Sequence, residues 1–379
     1  MELTLCITNK CNLKCTYCYQ ESRYLQNNMN KETAKKIVDA KIKDLHDSSD
    51  EKFNVVFIGG EPLLNYEIIV FSVNYINEKL KMWQGKKKFS MTTNGLALTD
   101  EIADFLITNN FNIGISLDGD KESHDTYRKT KSGKGSFEKS FRAALMLKNK
   151  GAHISIRMTI TPALVHKFAY NVKFFANNGF DIIAPVCDFT AEWTDEELNI
   201  LYNNYILLKE WYLNNYHKVD LVCFQGRFYD YLCRGGKFCK AGLRSHYVYD
   251  INGKAYPCTY VVGRDDFMLG DYSNLKSREE VVNIYKKYAG INEKCNECNI
   301  AYFCHGRKCG FLNVCCTNKL TESSNILCEH EKFIYKIIED VILELYEKKD
   351  ERIFNLINYV DKNEKKQQGF YNVVGRSVI

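Results

Sequence analysis

Proline is scarce in this sequence, with 4 residues among 379, and no proline-, glycine- or serine-rich linker divides the chain. No apolar run approaches the roughly 18 residues that a transmembrane helix needs. The net charge of +5 is small for this length, and the basic residues are scattered along the chain. A nucleic-acid-binding protein usually gathers such residues into a stripe with aromatics. The sequence therefore predicts neither a membrane protein nor a nucleic-acid partner.

The length and composition are those of a soluble protein with more than one folded unit. A chain of 379 residues exceeds a usual single domain, so an α/β domain plus a smaller module is expected. Hydrophobic residues make up 45% and charged residues 26%, which is ordinary for soluble proteins. Only a short strand separates Met1 from the first cysteine-rich loop, so we expect no signal peptide and a cytoplasmic location.

Cysteine, by contrast, is abundant, with 16 residues. Because disulfides are rare in the cytoplasm, metal binding is the simplest explanation for so many thiols. Between Ile7 and Gln20, three of them follow the spacing C-x3-C-x2-C: Cys11, Cys15 and Cys18. Thiolates select iron–sulfur clusters, zinc or copper.

The surroundings of this loop favour a cluster over zinc. A structural zinc site usually needs a fourth ligand, and none of the twenty-five residues after Cys18 is Cys or His. A [4Fe–4S] cluster held by three cysteines instead keeps one iron open for another molecule.

With Tyr17 as the aromatic residue before the third cysteine, this loop resembles the signature of the radical S-adenosylmethionine (radical SAM) enzymes. The resemblance implies that the open iron binds the amino and carboxylate groups of SAM. It also implies that one electron from the cluster cleaves SAM to methionine and a 5′-deoxyadenosyl radical, which takes a hydrogen atom from the substrate.

The chain then continues as alternating strands and helices. Apolar runs predict six strands, at Glu2 to Thr8, Phe53 to Ile58, Lys88 to Thr93, Asn112 to Leu117, His153 to Thr161 and Asp181 to Val186. Helices are predicted between them, at Lys31 to Leu45, Glu67 to Met82, Thr99 to Asn109, Ser136 to Asn149 and Val165 to Asn177. This rhythm indicates a parallel sheet. Six units are too few for a closed eight-stranded barrel, so we expect the partial (β/α)6 barrel that the resemblance implies.

Glycine and polar residues follow several of these strands, at the end where α/β barrels carry their function. Gly59, Gly60 and Glu61 resemble the family's GGE motif, in which glycine lets backbone carbonyls approach the SAM ammonium group; alone they also fit a tight turn. Ser116 and Arg128 match the positions that the resemblance assigns to the SAM ribose and carboxylate, although Arg128 also fits a surface arginine. Two further residues at this rim are candidates for SAM binding or for turns, Asn94 and Asp118.

A second cysteine pattern resembles the SPASM extension of radical SAM enzymes that modify peptides and proteins. It comprises Cys239, Gly253, Cys258, Cys295-x2-Cys298-x5-Cys304-x4-Cys309 and Cys328. By resemblance, two auxiliary [4Fe–4S] clusters are expected. The first would use Cys233, Cys239, Cys258 and Cys309, and the second would use Cys295, Cys298, Cys304 and Cys328.

Two alternatives stay open in this region. The gap after Cys304 is four residues where the family usually has three, so Cys315 or Cys316 could replace Cys309. A zinc ribbon built from residues 295 to 309 would leave the Cys239 to Cys258 element unexplained.

These predictions divide the chain into a barrel at residues 1–190, a bridging helical segment at 191–232, a SPASM module at 233–330, and a C-terminal helix and tail at 331–379. The bridging helix is predicted at Trp193 to Tyr216 and the last helix at Lys332 to Lys348, with a fraying polar tail from Gln367 to Ile379. Two further cysteines, Cys187 and Cys223, are expected to be buried thiols, although Cys187 could face the active-site mouth. Two histidines, His305 and His330, are expected to make supporting hydrogen bonds or to lie at the surface.

The resemblance predicts an enzyme that modifies a ribosomally made peptide, forming a thioether or another side-chain crosslink. The alternative is an anaerobic sulfatase-maturating enzyme, which converts Ser or Cys to formylglycine. In that family an Asp follows the second SPASM cysteine and acts as general base. Here Thr259 follows Cys258, and a threonine hydroxyl cannot take a proton at neutral pH. An iron–sulfur regulator would have no need of the GGE turn or of Ser116.

The expected partners follow from this prediction. They are a peptide substrate and an electron donor such as flavodoxin or ferredoxin. Because the chain begins at the first barrel strand, we expect that leader binding either needs a separate leader-binding protein or does not occur. The sequence predicts neither the substrate's identity nor the catalytic base.

Overall fold

The computed structural model describes residues 1–20, 26–233, 239, 241–242, 246–290 and 293–360. The chain divides into two compact units. Unit 1 comprises Met1–Met158 and Lys240–Ile284, and unit 2 comprises Thr159–Cys239 and Tyr285–Ile379. The polar tail from Gln367 to Ile379 lies outside the described residues. The domain boundaries expected from the sequence remain a prediction.

The described part of the chain contains nine strands, β1 Glu2–Thr8, β2 Lys52–Gly59, β3 Lys86–Thr93, β4 Asn112–Ser116, β5 Ile154–Ile160, β6 Ile182–Cys187, β7 Asp220–Leu221, β8 His246–Tyr249 and β9 Ala255–Tyr256. Its helices are α1 Lys31–His46, α2 Tyr66–Lys79, α3 Asp100–Thr108, α4 Lys121–Tyr127, α5 Phe137–Asn149, α6 Phe168–Asn177, α7 Asp195–Leu213, α8 Val222–Leu232, α9 Arg278–Lys287, α10 Glu293–Asn296, α11 His305–Lys308, α12 Gly310–Thr317 and α13 Asn325–Glu347.

Unit 1 is organised around a sheet with the strand order β5-β4-β3-β2-β1-β8-β9. Neighbouring strands run parallel except β8 and β9, which pair antiparallel. On the central strand β1, Leu5 lies beside Phe57 of β2 on one side and Tyr249 of β8 on the other. A segment from the second half of the chain therefore flanks the strand that leads into the cysteine loop.

The two faces of this sheet differ in polarity. One face consists of fully buried apolar side chains, among them Leu3, Leu5, Phe53, Phe57, Ile113, Ile115 and Ile156. Because side chains alternate along a strand, the residues between them form the other face. On β2 to β5 that face carries half-buried or exposed side chains, including Ser90, Thr92, Ser116, Ser155 and Arg157. The apolar face belongs to the core. The polar face carries Ser116 at the carboxyl end of β4.

Local capping chemistry sets where several helices begin. Asn30 accepts the backbone N–H of Thr33 at 2.8 Å at the start of α1. Thr194 and Glu197 form a reciprocal capping box at the start of α7. Ser324 accepts the N–H of Leu327 at the start of α13. These side chains satisfy donors that the first turn of a helix leaves without partners.

Unit 2 contains the parallel pair β6 and β7, with Ile183 beside Leu221, and a core of aromatic contacts between helices. Tyr212 of α7 packs edge-on against Phe224 of α8, with ring centroids 5.4 Å apart. Tyr205 of α7 lies 5.8 Å from the ring of Phe333 on α13. Three helices distant in sequence are thus joined through one aromatic cluster.

The predicted strands and helices of the first half are confirmed, with ends that differ by up to three residues. The helix predicted from Val165 begins as a 3-10 turn, Pro162–Lys167, and becomes α-helical at Phe168. The last helix begins at Asn325, so the predicted start at Lys332 is wrong. In the part of the chain that the structure describes, no helix is long and apolar enough to span a bilayer.

Candidate functional site

The loop after β1 presents three thiols, on Cys11, Cys15 and Cys18. Its backbone is held from one side by the segment that follows α4. Lys14 donates its N–H to the Lys129 carbonyl at 2.7 Å, and Thr16 donates to the Tyr127 carbonyl at 3.3 Å. The positions of the sulfurs are therefore set by main-chain bonds.

The environment of these thiols fits ligands of an iron–sulfur cluster. The N–H of Leu13 lies 3.4 Å from the Cys11 sulfur, the kind of contact that tunes cluster-bound thiolates. Burial raises the pKa of Cys15 to about 11, and the charge of Arg128 partly offsets this. The other thiols, Cys18 among them, act to raise the pKa of Cys11 and of Cys15, which places the three sulfurs in one electrostatic neighbourhood. The thiols of Cys11 and Cys15 therefore stay protonated at neutral pH until a metal displaces the protons.

Gly59 and Gly60 lie against the backbone that enters the loop. Gly60 donates its N–H to the Thr8 carbonyl at 2.9 Å. A Cβ atom at Gly59 would come within 2.4 Å of the Thr8 carbonyl oxygen, and one at Gly60 within 2.4 Å of the Lys10 carbonyl oxygen. No side chain tolerates such an approach, so the strands meet here only because both residues are glycine.

Glu61 ties the ends of two strands together. Its N–H donates to the Lys10 carbonyl at 2.8 Å, and its carboxylate accepts from the Thr93 hydroxyl at 2.6 Å, the Asn94 N–H at 2.7 Å and the Leu63 N–H at 3.1 Å. Burial raises the pKa of Glu61, and these donors act in the opposite direction. The carboxylate is therefore a structural acceptor that joins β2 to the turn after β3.

Asn94 and Ser116 lie at the carboxyl ends of β3 and β4. The side-chain amide of Asn94 donates to the Asn12 side chain in the cysteine loop at 2.7 Å, and its oxygen accepts the Leu96 N–H at 3.0 Å. Asn94 thus serves as a turn residue and also supports the loop. Ser116 is half-buried on the polar face, beside Arg157 in the neighbouring strand.

Arg128 is buried, with 8% of the residue exposed, so the alternative of a surface arginine is wrong. Its guanidinium donates twice to Asp118, at 2.8 and 3.0 Å, and lies 5.3 Å from the centre of the Tyr17 ring. The Tyr17 hydroxyl also donates to Asp118. Burial alone would lower the pKa of Arg128, but the Asp118 carboxylate raises it. The cation is thereby fixed beside the cysteine loop.

Thr259 lies at the side of the cysteine loop. Its side chain is within hydrogen-bonding range of the Tyr19 hydroxyl, and the Tyr19 ring packs 5.1 Å from that of Tyr260. Although 48% of Tyr19 is exposed, desolvation of its hydroxyl raises the pKa of Tyr19, and the thiols of Cys18 and Cys258 act in the same direction. Cysteine segments separated by 240 positions in the numbering therefore meet around one tyrosine of unit 1.

Unit 2 brings the cysteines of the predicted second auxiliary cluster into two pairs. Cys304 lies within electrostatic range of Cys295, and Cys328 within range of Cys298. Burial raises the pKa of Cys304 to about 12, while the backbone N–H groups of Arg307 and Gly306 act to lower it. Thiols that accept amide hydrogen bonds fit the ligands of an iron–sulfur cluster.

Cys309 also has thiolate-stabilising contacts. Burial raises its pKa, and the backbone N–H groups of Leu312 and Phe311 lower it. Cys239 lies nearby, donating its N–H to the Lys308 carbonyl at 3.0 Å. These contacts favour Cys309 over the two cysteines of α12 as the neighbour of Cys239.

The other cysteines have different surroundings. Cys316 lies near Cys309 and donates its S–H to the Phe189 carbonyl at 3.3 Å. Cys187 is buried next to Tyr205 of α7 and near Cys223, so the idea that it faces an active-site mouth is wrong. Burial raises the pKa of both thiols, as in inert core cysteines.

A buried carboxylate supports the Cys304 segment. Glu331 of α13 accepts the His305 N–H at 2.6 Å and an Arg227 N–H at 2.6 Å. His330, only 9% exposed, lies 3.2 Å from the Tyr205 hydroxyl and 3.3 Å from Glu331. The prediction of supporting hydrogen bonds is confirmed for His330, and the surface alternative for it is wrong.

Across the described ranges, no three Cys, His, Asp or Glu side chains converge tightly enough to hold a single metal ion. A [4Fe–4S] cluster makes a different geometric demand, because each cysteine binds a different iron.

Two features of the site were not predicted from the sequence, the contacts of Asp118 and the position of Arg157. The sequence predicts Asp118 as a SAM-binding or turn residue at the rim, and the structure shows that it holds both Arg128 and Tyr17. Arg157 was not singled out, although its position on a polar strand face near Ser116 could have been read from the alternation of β5.

Comparison with known proteins identifies the family of this fold. Residues 5–166 match the Radical SAM superfamily. The cysteine-type anaerobic sulfatase-maturating enzyme of Clostridium perfringens (strain 13 / Type A) is 26% identical over 325 residues, which cover 79% of this chain and 86% of that enzyme.

Solved structures agree in fold. The structure of native anSMEcpe with bound AdoMet has a TM-score of 0.75 at 22% identity, covering 95% of this chain and 99% of the other. Streptococcus suis SuiB bound to its precursor peptide SuiA has a TM-score of 0.60 at 16% identity, covering 86% and 75%. The chain has the α/β radical SAM fold with a Radical SAM domain at residues 5–166, followed by a cysteine-rich C-terminal region, and is an enzyme related to the anaerobic sulfatase-maturating enzymes.

Proposed function

We propose that this enzyme crosslinks side chains within a ribosomally made peptide, and that the bond formed is a thioether. The observation that carries this proposal is the contact between Thr259 and Tyr19, directly after Cys258. Formylglycine formation in the resembling family uses a carboxylate base at the position of Thr259. Neither a threonine nor a tyrosine with a raised pKa accepts a proton readily at neutral pH. A cysteine thiol of the substrate needs less help, because its pKa is ordinarily near 8.5.

The second candidate is conversion of a sulfatase Ser or Cys to formylglycine. It is favoured by the similarity to the cysteine-type sulfatase-maturating enzyme over 79% of the chain. The Thr259 departure is the observation against it. The peptide SuiA bound in the SuiB structure supports a peptide as substrate class for this fold.

The proposed cofactors are SAM and three [4Fe–4S] clusters. Cys11, Cys15 and Cys18 would hold the first cluster, and Tyr17, Gly59, Gly60, Glu61, Asn94, Ser116 and Arg128 would surround SAM. The proposed ligands of the auxiliary clusters are Cys233, Cys239, Cys258 and Cys309 for the first, and Cys295, Cys298, Cys304 and Cys328 for the second. The N–H···S contacts at Cys11, Cys304 and Cys309 support these assignments.

When bound, SAM and the clusters would supply the hydrogen-abstracting radical and accept the remaining electron. The protein's part is to position the reactants. The bidentate Asp118 contact fixes the plane of Arg128, which leaves one edge of its guanidinium for the SAM carboxylate. Forming a thioether breaks one S–H and one C–H bond and makes one S–C bond, so the peptide loses two hydrogens. One leaves as a hydrogen atom, and the other as a proton and an electron.

The cofactor assignment is tested by replacing Cys11, Cys15 and Cys18 with alanine. We expect the triple variant to lose 5′-deoxyadenosine formation and to retain about two-thirds of the iron after anaerobic reconstitution, because two of three clusters remain. The wild type should hold about 12 irons. A triple variant that still cleaves SAM, or a wild type with about four irons, would contradict the assignment.

The bond type is tested on turned-over peptide that is reduced, alkylated and fragmented. A thioether gives cysteines that resist alkylation and fragments that stay joined. Fully alkylated cysteines with a hydrazine-reactive aldehyde would replace the proposal by the sulfatase-type activity. Thr259→Asp is the informative variant, since it places a carboxylate where the sulfatase-maturating family has its Asp and leaves the cluster ligands in place. An electron donor such as flavodoxin or ferredoxin, and a separate leader-binding protein, remain proposed partners.

A further inference from the structure

Arg157 occupies an unusual position in unit 1. It lies on β5, in register with Ser116 of β4. By alternation it shares the polar face of the sheet with Thr92 and Gly114, which are themselves in register on β3 and β4. Because Ser116 is the last residue of β4, Arg157 lies near the carboxyl ends of the strands, beside a residue of the proposed SAM site.

A glycine makes room for the arginine side chain. A Cβ atom at Gly114 would come within 3.0 Å of the Arg157 Cγ atom and 3.2 Å of its Nε atom, and within 2.9 Å of the Thr92 hydroxyl. The stem and Nε atom of Arg157 therefore lie across β4 and are not extended away from the sheet. The absence of a side chain at Gly114 places the cation over the middle of the polar face.

The cation has no counter-charge in the described residues. Neither an ion pair nor a hydrogen bond connects Arg157 to another described side chain. Although more than a third of the residue is exposed, the surrounding protein lowers its pKa, and desolvation is the sole cause. The carboxylates of Glu61 and Asp118, which follow β2 and β4 at the same edge of the sheet, are bound by other donors. A partly desolvated guanidinium with an open fork is suited to a carboxylate ligand.

We propose that Arg157 is a carboxylate-binding residue of the active cavity, held across Gly114 to receive that group. Two molecules of the proposed reaction carry carboxylates, the peptide substrate through an acidic side chain and SAM through its methionine part. The proposal deepens the proposed function, since it names an acidic residue near the modified position as a recognised feature of the peptide.

The test compares reconstituted wild type with Arg157→Gln and Arg157→Lys, and with Arg142→Gln as the control. Arg142 is exposed on α5, away from the polar face. Its substitution by Gln removes the same charge as Arg157→Gln without altering the polar face. In one arm, equilibrium dialysis measures SAM affinity without peptide. In the other, fluorescence anisotropy at saturating SAM measures binding of labelled cysteine-containing synthetic peptides, in pairs that differ only by Asp or Asn beside the cysteine.

A peptide carboxylate predicts that Arg157→Gln weakens binding of the Asp peptide by about 10- to 100-fold, the usual range for a charged hydrogen bond. It also predicts that the variant loses the Asp-over-Asn preference, that Lys restores part of it, and that SAM affinity is unchanged. A SAM carboxylate predicts a similar loss of SAM affinity without peptide.

The proposal is overturned if Arg157→Gln binds SAM and the peptides as tightly as Arg142→Gln does. It is also overturned if the wild type binds the Asp and Asn peptides equally and Arg157→Gln leaves SAM affinity unchanged. Both arms measure binding, so they are read independently of which bond the enzyme forms. Failure of the crosslinking proposal is therefore distinguishable from failure of this one.

Discussion

Replacing Arg227 with methionine tests how the Cys304 segment is held in unit 2. The guanidinium donates to Glu331 and to the Phe303 carbonyl, and stacks 4.0 Å from the Phe303 ring. Burial would raise the pKa of Glu331, but the hydrogen bond from His330 and the charge of Arg227 lower it from 4.5 to about 2. The ionised carboxylate is therefore stabilised by its partners more than it is penalised by desolvation.

The size of the effect follows from this pKa. A depression of more than two pKa units is worth roughly 3 kcal/mol. Because the folded pKa is depressed, this stabilisation is fully present above about pH 4.5 and is lost as the pH falls towards 2. Acid would also protonate and release cysteine ligands, so substitution at neutral pH is the cleaner perturbation. Arg227→Met leaves a buried carboxylate without its cation, which typically costs about 3–5 kcal/mol.

Urea unfolding of the reconstituted enzyme, followed by circular dichroism under anaerobic conditions, measures this cost. We expect the midpoint of Arg227→Met to fall by on the order of 1 M. Glu331→Gln should cost roughly 3 kcal/mol, and the double variant should cost clearly less than the two single changes together, since neither charge is then left alone. Glu339→Gln is the matched control, because it lies on the same helix and contacts the Tyr231 hydroxyl at 2.6 Å instead.

The reasoning would be refuted if Arg227→Met cost less than about 1 kcal/mol, as a surface pair does. Strict additivity of the two single changes would refute it as well. A control variant as unstable as Glu331→Gln would show that any charge lost from α13 has this effect.

Two further outcomes are expected from unit 1. Gly60→Ala should destabilise the protein by about 1–3 kcal/mol and lower iron incorporation at the first cluster, because the new methyl meets the Lys10 carbonyl oxygen at 2.4 Å. Gly226→Ala on helix α8 is the control: its new Cβ has only a 3.6 Å contact, so it should stabilise the protein by about 0.5–1 kcal/mol. Urea midpoints and iron analysis check both, and equal effects would contradict the crowding argument. Asp118→Asn should weaken SAM binding by more than about 10-fold in equilibrium dialysis, since the bidentate hold on Arg128 is lost; unchanged affinity would mean that this contact has no part in SAM binding.

The strands of unit 1 were predictable where their pattern was long enough. β1 was predicted with its observed ends, since seven residues alternate before a cysteine loop that cannot continue a strand. The strands β8 and β9 have four and two residues, too short for a periodic signal. Their position beside β1 depends on long-range pairing such as Leu5 with Tyr249, which no local pattern encodes.

The candidate site divides in the same way. Spacing alone pointed to the cysteine loop and to the Gly59 and Gly60 turn. The clamp formed by Asp118 on Arg128 and Tyr17 joins a strand end, a helix end and a loop, and each residue taken singly fits a turn or a surface. Such three-way contacts appear only once the segments are placed, so the sequence predicted the members of the site better than their partners.

Three bonds that hold the cysteine loop at Lys10 and Lys14 and at the strand that enters it join main-chain atoms, from Gly60 to Thr8, from Glu61 to Lys10 and from Lys14 to Lys129. Side-chain identity at Lys10 or Lys14 is therefore free to drift, and the charge presented beside the thiols can change from one descendant of this sequence to another without moving a sulfur. A single inserted or deleted residue has the opposite effect, because it shifts every donor past its acceptor. Adaptation of this loop to a new electron donor should consequently proceed by substitution at constant length.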